Sequence, residues 1–228
     1  MKLSISMTRK ETLLGWSYLL ISLFALPFFL GLINAFLRNP MSDTVINLLF
    51  LWINFGAVTV IFHRFLLASV KLAADSALRC LRSALLGFGL YYLLTILVSQ
   101  AIARIKPDFF NVNDSALMDL FGEHPAMMTF TTVFLVPITE ETLYRGLLFQ
   151  GFQRKSRLLA YCISTGIFAA IHVIGYIGLY DPVTLLLCFV QYLPAGIALA
   201  LAYEKADTIV APILIHIFIN QIGTSVMR

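Results

Sequence analysis

Long apolar stretches dominate this sequence and limit what the chain can fold into. At about 1.5 Å per residue, a helix needs roughly 20 apolar residues to cross the ~30 Å hydrocarbon layer of a bilayer. Hydrophobic residues make up 60% of the chain and charged residues 12%, a composition outside the range of soluble globular domains. The sequence therefore predicts an all-α, polytopic transmembrane helical bundle with about seven spans: 12–37, 44–63, 83–104, 126–150, 158–178, 183–203 and 208–226.

The first stretch follows a basic start, as in a signal peptide. Its apolar run of about 25 residues is too long for a signal-peptide core, and it lacks an A-x-A cleavage site. We expect it to be a retained span. Because the sequence shows no repeat, low-complexity tract or soluble segment, we expect a single integral-membrane domain over 1–228.

Lysine and arginine are distributed unequally between alternate loops. By the positive-inside rule, this asymmetry predicts a cytoplasmic N-terminus and an external C-terminus. The net charge of +4 thus reflects membrane topology, and we expect no nucleic-acid partner. Short loops and a short chain suggest a prokaryotic cytoplasmic membrane. Four basic residues fall on one side, Arg38, Arg104, Lys106 and Arg228, and eleven on the other, Lys2, Arg9, Lys10, Arg64, Lys71, Arg79, Arg82, Arg154, Lys155, Arg157 and Lys205.

Two connections are longer than turns. Residues 63–83 mix apolar and basic residues at helical spacing, which predicts a segment lying along the cytoplasmic interface. Residues 104–125 are acidic and predict an outer loop with one or two short helical turns. The three cysteines are widely spaced and odd in number, so they indicate neither a disulfide framework nor a CxxC metal site.

Five ionisable residues lie inside predicted spans: Glu140, Glu141, Arg145, His172 and His216. Each costs about 2.5 to 3.5 kcal/mol at the centre of a bilayer, so such groups persist when they are paired or functional. Counted from the helix ends, Glu140, His172, His216 and Asn220 fall about 12 to 21 Å from the cytoplasmic side. We expect them to line one cavity, in the last four helices, that opens toward the cytoplasm.

Helical spacing separates these residues into groups. Glu141 and Arg145 are four positions apart, in the order that favours an ion pair. Glu140 projects about 100° away from Glu141 and is expected to share its face with Tyr144. His216 and Asn220 project together on the last helix, and Phe168 lies one turn before His172.

This set of groups is suited to hydrolysis. A buried glutamate can act as general base on water, with a histidine orienting that water. The other histidine and the asparagine can donate hydrogen bonds to the oxyanion formed at a carbonyl. No serine or cysteine is similarly placed beside a base, so the sequence does not indicate a covalent nucleophile.

Three segments, "EETLYRG" at 140–146, "FAAIH" at 168–172 and "HIFIN" at 216–220, resemble the EExxxR, FxxxH and HxxxN motifs of the CPBP intramembrane protease family. That family includes CAAX prenyl endopeptidases and the bacterial Abi proteins linked to bacteriocin processing and self-immunity. The resemblance covers about 135–222. It implies an intramembrane endopeptidase with its catalytic core in 126–226, acting on a peptide or a protein, prenylated or not.

The resemblance also implies roles for individual residues. Glu140 and His172 would activate water, His216 and Asn220 would hold the oxyanion, and Glu141 and Arg145 would brace the helix. Tyr144 and Phe168 would support the site. Both a metal-free and a zinc-dependent mechanism fit the family; the sequence favours no cofactor, because an amide at Asn220 is a poor zinc ligand and no HExxH occurs. A zinc site would use His172, His216 and Glu140.

Two other interpretations remain open at this point. Intramembrane Glu, Arg and His are also typical of proton-coupled transporters, although these usually show inverted repeats and broken helices. The third possibility is a catalytically silent membrane immunity or scaffold protein that binds a partner in the bilayer, although the intact motifs argue against it. The sequence does not identify the substrate.

Overall fold

The computed structural model describes residues 3–226, and within that range it contains nine helices and no strand. This confirms an all-α helical bundle with several apolar helices. We number the helices α1 Arg9–Phe36, α2 Asp43–Ile61, α3 His63–Asp75, α4 Ala77–Ile105, α5 Val112–Leu120, α6 125–153, α7 Arg157–Ile171, α8 Pro182–Ala206 and α9 Val210–Val226.

Helix starts coincide with residues that cap exposed backbone N–H groups. At α1, the Thr8 hydroxyl accepts from the Glu11 backbone N–H, and the Glu11 carboxylate accepts from the Thr8 N–H, which is a capping box. The side chains of Ser42, Ser156 and Asp181 each accept from one backbone N–H in the first turn of α2, α7 and α8. These boundaries therefore follow from local sequence.

Four of the described helices, α1, α2, α4 and α8, are long and apolar enough to cross a bilayer. Helix α6 carries Glu140, Glu141 and Arg145, while α7 and α9 have 15 and 17 residues. The helices predicted at all seven positions exist, but α7 and α9 are shorter than the ~30 Å hydrocarbon layer. Seven spans remain a prediction.

The predicted fifth span, 158–178, is wrong at its C-terminal end. Helix α7 ends at Ile171, with His172 as its C-cap, and a short 3₁₀ turn follows at Ile174–Tyr176. Gly178 then adopts φ +86°, a conformation that glycine reaches without strain. His172 therefore lies at a helix end that faces a turn, and not within a continuous helix.

The two long connections also differ in detail from the prediction. Of 63–83, the first part forms α3, and the backbone breaks at Ser76, so that α4 begins at Ala77, six residues before the predicted start at 83. The 104–125 connection contains the nine-residue α5. That is slightly more helix than the one or two turns predicted.

Helix α6 is continuous but includes two π-helical stretches, Thr131–Leu135 and Thr142–Phe149. The first ends two residues before Pro137. Proline has no N–H to donate to residue i−4, and its ring crowds that carbonyl, so a wider turn relieves the conflict. Helix α1 shows the same arrangement, with Ile21–Ala25 in π conformation ahead of Pro27.

Helix α8 lies at the centre of the bundle, against α4 on one side and α7 on the other. Small residues allow these close contacts. A Cβ at Gly87 of α4 would lie 3.0 Å from the Ala202 Cβ, and one at Gly196 of α8 would lie 2.5 Å from Thr165 Cγ2. Such contacts are typical of membrane helix packing, where dispersion rather than water exclusion stabilises the interface.

Candidate active site

The three motifs meet around the ring of Phe168 on α7. The guanidinium of Arg145 lies over this ring, 4.6 Å from its centroid. The His172 and His216 rings lie 4.9 and 5.9 Å from it, centroid to centroid. Phe168 is buried. One apolar ring on α7 thus contacts both histidines and the guanidinium of the charged pair on α6.

The predicted ion pair between Glu141 and Arg145 is present and has no solvent exposure. Arg145 Nη1 donates to Glu141 Oε1 over 2.9 Å, and Nη2 donates to the Gly196 carbonyl on α8 over 3.2 Å. The pair therefore connects α6 to α8. Removing one partner would leave the other charge buried and unpaired.

Glu141 has a second partner that the sequence did not reveal. His216 Nδ1 lies 2.8 Å from the same Oε1 atom. A carboxylate paired with arginine can only accept hydrogen bonds, so Nδ1 carries the proton. If Nε2 also donates, as an oxyanion site requires, His216 must be an imidazolium ion. Helical spacing could not show this contact, because the two residues are 75 positions apart.

Glu140 differs from its neighbour, as the spacing predicts. Its side chain is 18% exposed, and its Oε2 atom has no hydrogen-bond partner among the described residues. His216 Nε2 lies 3.9 Å from this Oε2 atom. With Glu141 and Arg145 cancelling, one proton shared between Glu140 and His216 leaves the whole cluster neutral. That proton can sit on His216, which leaves Glu140 a free base.

His172 is held by two contacts. Its Nδ1 lies 2.7 Å from the Phe168 carbonyl oxygen, which only accepts, so Nδ1 is the protonated nitrogen. In the neutral ring Nε2 then carries a lone pair. The imidazole also stacks on Tyr192 of α8, with centroids 4.1 Å apart and planes 24° apart.

Asn220 has a different contact from the one expected. Its Nδ2 donates to the Thr132 carbonyl, over 2.8 Å, within the first π-helical stretch of α6. One amide N–H therefore ties α9 to α6, which leaves the second N–H of the same nitrogen for another acceptor. Its role in oxyanion binding stays a prediction.

Of the two residues expected to support the site, Phe168 is the ring at its centre, and Tyr144 packs edge-on against it at 5.8 Å. The Tyr144 carbonyl also accepts from the Ser164 hydroxyl. Sequence reasoning missed Tyr192, Thr132 and Gly196. Their contacts depend on tertiary packing, and no spacing rule marks them.

A zinc site on His172, His216 and Glu140 does not fit this arrangement. Within residues 3–226, no group of three or more His, Cys, Asp or Glu side chains is close enough to hold a metal ion. His216 Nδ1 is engaged by Glu141 and His172 Nδ1 by a backbone carbonyl, so only the Nε2 atoms of the two rings could face a metal ion. No step below is routed through a metal.

Comparison with known proteins identifies the region that carries this site. Residues 122–222 match the family model described as type II CAAX prenyl endopeptidase Rce1-like. No curated protein and no solved structure matches the chain. The matched region contains all three motifs and begins just ahead of α6. Through this region, the helical membrane protein is similar to the CAAX-type proteases that this family model describes.

Proposed function

We propose that this protein is an intramembrane endopeptidase in which Glu140 activates the water that hydrolyses a peptide bond. The observation that carries the proposal is the contrast between two adjacent carboxylates. Glu141 is fully buried and is bound through Oε1 by Arg145 and His216, which leaves its Oε2 without a partner but away from solvent. The Glu140 side chain is 18% exposed, and its Oε2 has no hydrogen-bond partner among the described residues. A general base needs a free lone pair that can accept a proton.

The tautomer of His172 supports a binding position for the attacking water between this histidine and Glu140. Glu140 and His172 Nε2 are both acceptors, so together they can take the two hydrogens of one water molecule. Its oxygen lone pair is then left for a carbonyl carbon. Phe168 contacts the His172 ring and excludes other water from that side, which strengthens these hydrogen bonds.

The reaction then follows from the proton positions. Glu140 takes a proton from water as the oxygen attacks the carbonyl carbon, and negative charge develops on the carbonyl oxygen. The Nε2–H of His216 and the second N–H of Asn220 stabilise that oxygen. Glu140 returns its proton to the amide nitrogen as the C–N bond breaks, which releases an amine and a carboxylic acid.

We propose that the substrate is a peptide or protein segment that reaches the site from the cytoplasmic side of a prokaryotic membrane. The eleven basic residues on the side of Lys205 and Arg154 support this orientation. Both a prenylated CAAX peptide and a bacteriocin precursor are compatible with the family. We take the CAAX peptide as the first probe because the matched family model is described by that activity.

Replacing Glu140 by Gln tests the mechanism. Glu140→Gln keeps the shape of the side chain and removes its basicity, so turnover is expected to fall by at least about 10². Cleavage is measured by mass spectrometry on purified protein, with a farnesylated CAAX peptide and its unmodified counterpart. The control is Glu123→Gln, at a half-exposed glutamate that lies outside the motifs.

Equal turnover in Glu140→Gln and wild-type protein would reject Glu140 as the base. If the wild-type protein cleaves neither peptide, the CAAX substrate class is rejected. A survey of unmodified peptides in the same assay then separates a protease of other specificity from a silent family member.

A further inference from the structure

Tyr192 contacts the same imidazole ring of His172 that Phe168 contacts. The tyrosine ring stacks on the imidazole at 4.1 Å, while Phe168 contacts the same imidazole at 4.9 Å. The His172 ring therefore contacts one aromatic ring of α8 and one of α7. Because Nδ1 is bonded to the Phe168 carbonyl, the remaining freedom of the ring is a tilt, and the stack limits that tilt.

Tyr192 is itself fixed by residues of the connection between α4 and α6. Its hydroxyl donates to Asp114 Oδ1 over 2.8 Å and accepts from Asn113 Nδ2 over 2.9 Å. Both partners lie in the first turn of α5, which Asn111 caps. Asn111 Nδ2 also donates to the neighbouring Gln191, over 2.8 Å.

These contacts show how deeply the connection enters the bundle. Tyr192 is ten residues into α8, about 15 Å from the start of that helix at about 1.5 Å per residue. The start of α5 must reach the same level. Val112 and Cys188 are buried there in a small apolar cluster with Val173, the residue after His172. The first turn of α5 thus closes the end of the site next to His172.

We propose that Tyr192 is a positioning residue that sets the orientation of His172, with Asn113 and Asp114 holding Tyr192 in place. This rests on the proposed function, in which His172 Nε2 orients the attacking water. A tilt of the imidazole displaces Nε2 from the water site. Displacements of about 1 Å can reduce turnover by as much as 10².

Two substitutions separate the stack from the hydrogen bonds. Tyr192→Phe keeps the aromatic stack and removes the hydroxyl, so kcat is expected to fall roughly two- to tenfold, as for one hydrogen bond. Tyr192→Leu removes both, and kcat is expected to fall by an order of 10². KM is expected to remain within twofold in both variants. The matched control is Tyr161→Phe, whose hydroxyl donates to Glu204 over the same 2.8 Å but lies outside the motifs.

Variants in α5 test the remote part of the proposal. Asn113→Ala and Asp114→Ala each remove one hydrogen bond to the Tyr192 hydroxyl. Both variants are expected to reproduce the loss of kcat expected for Tyr192→Phe. Asp119→Ala lies exposed on the same helix and is expected to match the wild type. A role in stability alone would lower the yield of folded protein without reducing kcat per folded molecule.

A readout independent of cleavage keeps the test decisive. Nuclear magnetic resonance of histidine-labelled protein, with His172→Gln for assignment, is expected to show His172 as the neutral Nδ1–H tautomer, with ring protons shifted by the stacked tyrosine. Tyr192→Leu is expected to abolish that shift. An unchanged His172 spectrum in Tyr192→Leu, or unchanged kcat in an enzyme that cleaves the probe peptide, would overturn the proposal. If no peptide is cleaved, the spectrum alone decides the positioning role, and the cleavage result bears on the proposed function.

Discussion

At the scale of single residues, Asn220 shows how one side chain can combine two tasks. Its amide nitrogen has two hydrogens, and one of them is bonded to the Thr132 carbonyl. That bond fixes the direction of the other. An oxyanion donor that is already aligned needs no reorientation during the reaction, which is the basis of electrostatic preorganisation.

Asn220→Ala is therefore expected to reduce kcat much more than it affects KM. Loss of one oxyanion donor costs about 2.7 to 4 kcal/mol in the transition state, or about 10² to 10³ in rate. Steady-state kinetics on the cleaved peptide measure the two constants. Gln221→Ala is the control, because Gln221 is exposed and bonds to Ser225 on its own helix. A variant whose loss appears mainly in KM would assign Asn220 to substrate binding instead.

A metal-free mechanism is also a prediction at the residue scale. Among residues 3–226, His172 and His216 do not form a donor cluster with Glu140 that is close enough to hold a metal ion. We expect wild-type cleavage to persist after treatment with a strong chelator. Elemental analysis of the purified protein accompanies the assay. One tightly bound zinc ion, with activity lost on its removal and restored on its return, would contradict a metal-free mechanism.

At the scale of elements, α6 depends on the buried pair of Glu141 and Arg145. The pair joins α6 to the Gly196 carbonyl of α8 and to His216 of α9. These three helices carry most of the site. A single buried pair therefore sets both their packing and the orientation of one active-site histidine.

Arg145→Ala is expected to destabilise the protein by about 3 to 5 kcal/mol, because it leaves the Glu141 carboxylate buried with half of its compensation. Thermal unfolding in detergent measures the change. Arg82→Ala, at an exposed position of α4, is the control and is expected to have little effect. Full stability of Arg145→Ala combined with complete loss of cleavage would mean that Arg145 acts in the chemistry and does not brace the helix.

The elements also show how far sequence reasoning extends. Charged residues in apolar segments predicted which helices meet, because buried charge must be compensated, and the pairing of Glu141 with Arg145 followed from their spacing. The π-helical stretches could not be predicted from hydrophobic periodicity, which assumes uniform α-helical geometry. The end of α7 at Ile171 was missed because the next residues are apolar. The bonds from His216 to Glu141 and from Asn220 to Thr132 join distant parts of the chain, and only the folded structure shows them.

At the scale of the whole molecule, the arrangement of the helices predicts which end faces the cytoplasm. Lys155 precedes α7 at one end of the bundle, while Asp108 lies in the connection between α4 and α5 at the other. Both positions are exposed. The excess of basic residues near Lys155 therefore predicts that this end faces the cytoplasm.

Cysteine labelling tests this orientation. In a background in which Cys80, Cys162 and Cys188 are replaced by Ala, Asp108→Cys is expected to react with a membrane-impermeant thiol reagent in intact spheroplasts. Lys155→Cys is expected to react after the membrane is opened. The reverse pattern would place the cytoplasm at the α5 end, so substrates would approach from the other side of the membrane.

The π-helical stretches of α6 have a consequence for how the chain can vary in length. A turn closed by i→i−5 hydrogen bonds holds one residue more than an α-turn, so it stores an inserted residue without rotating the helix beyond it. The stretch at Thr131–Leu135 begins at Thr131, whose hydroxyl accepts a hydrogen bond from Trp52 of α2, and it precedes the motif glutamates. A homologous helix without the stretch would make the contact with Trp52 and the contacts of the motif glutamates with one residue fewer between them. Deleting Phe134 from it is therefore expected to keep the glutamates in register, at the cost of the strain that Pro137 then adds. A one-residue deletion in the α-helical segment Val136–Glu141 would turn Glu140 about 100° away from His216.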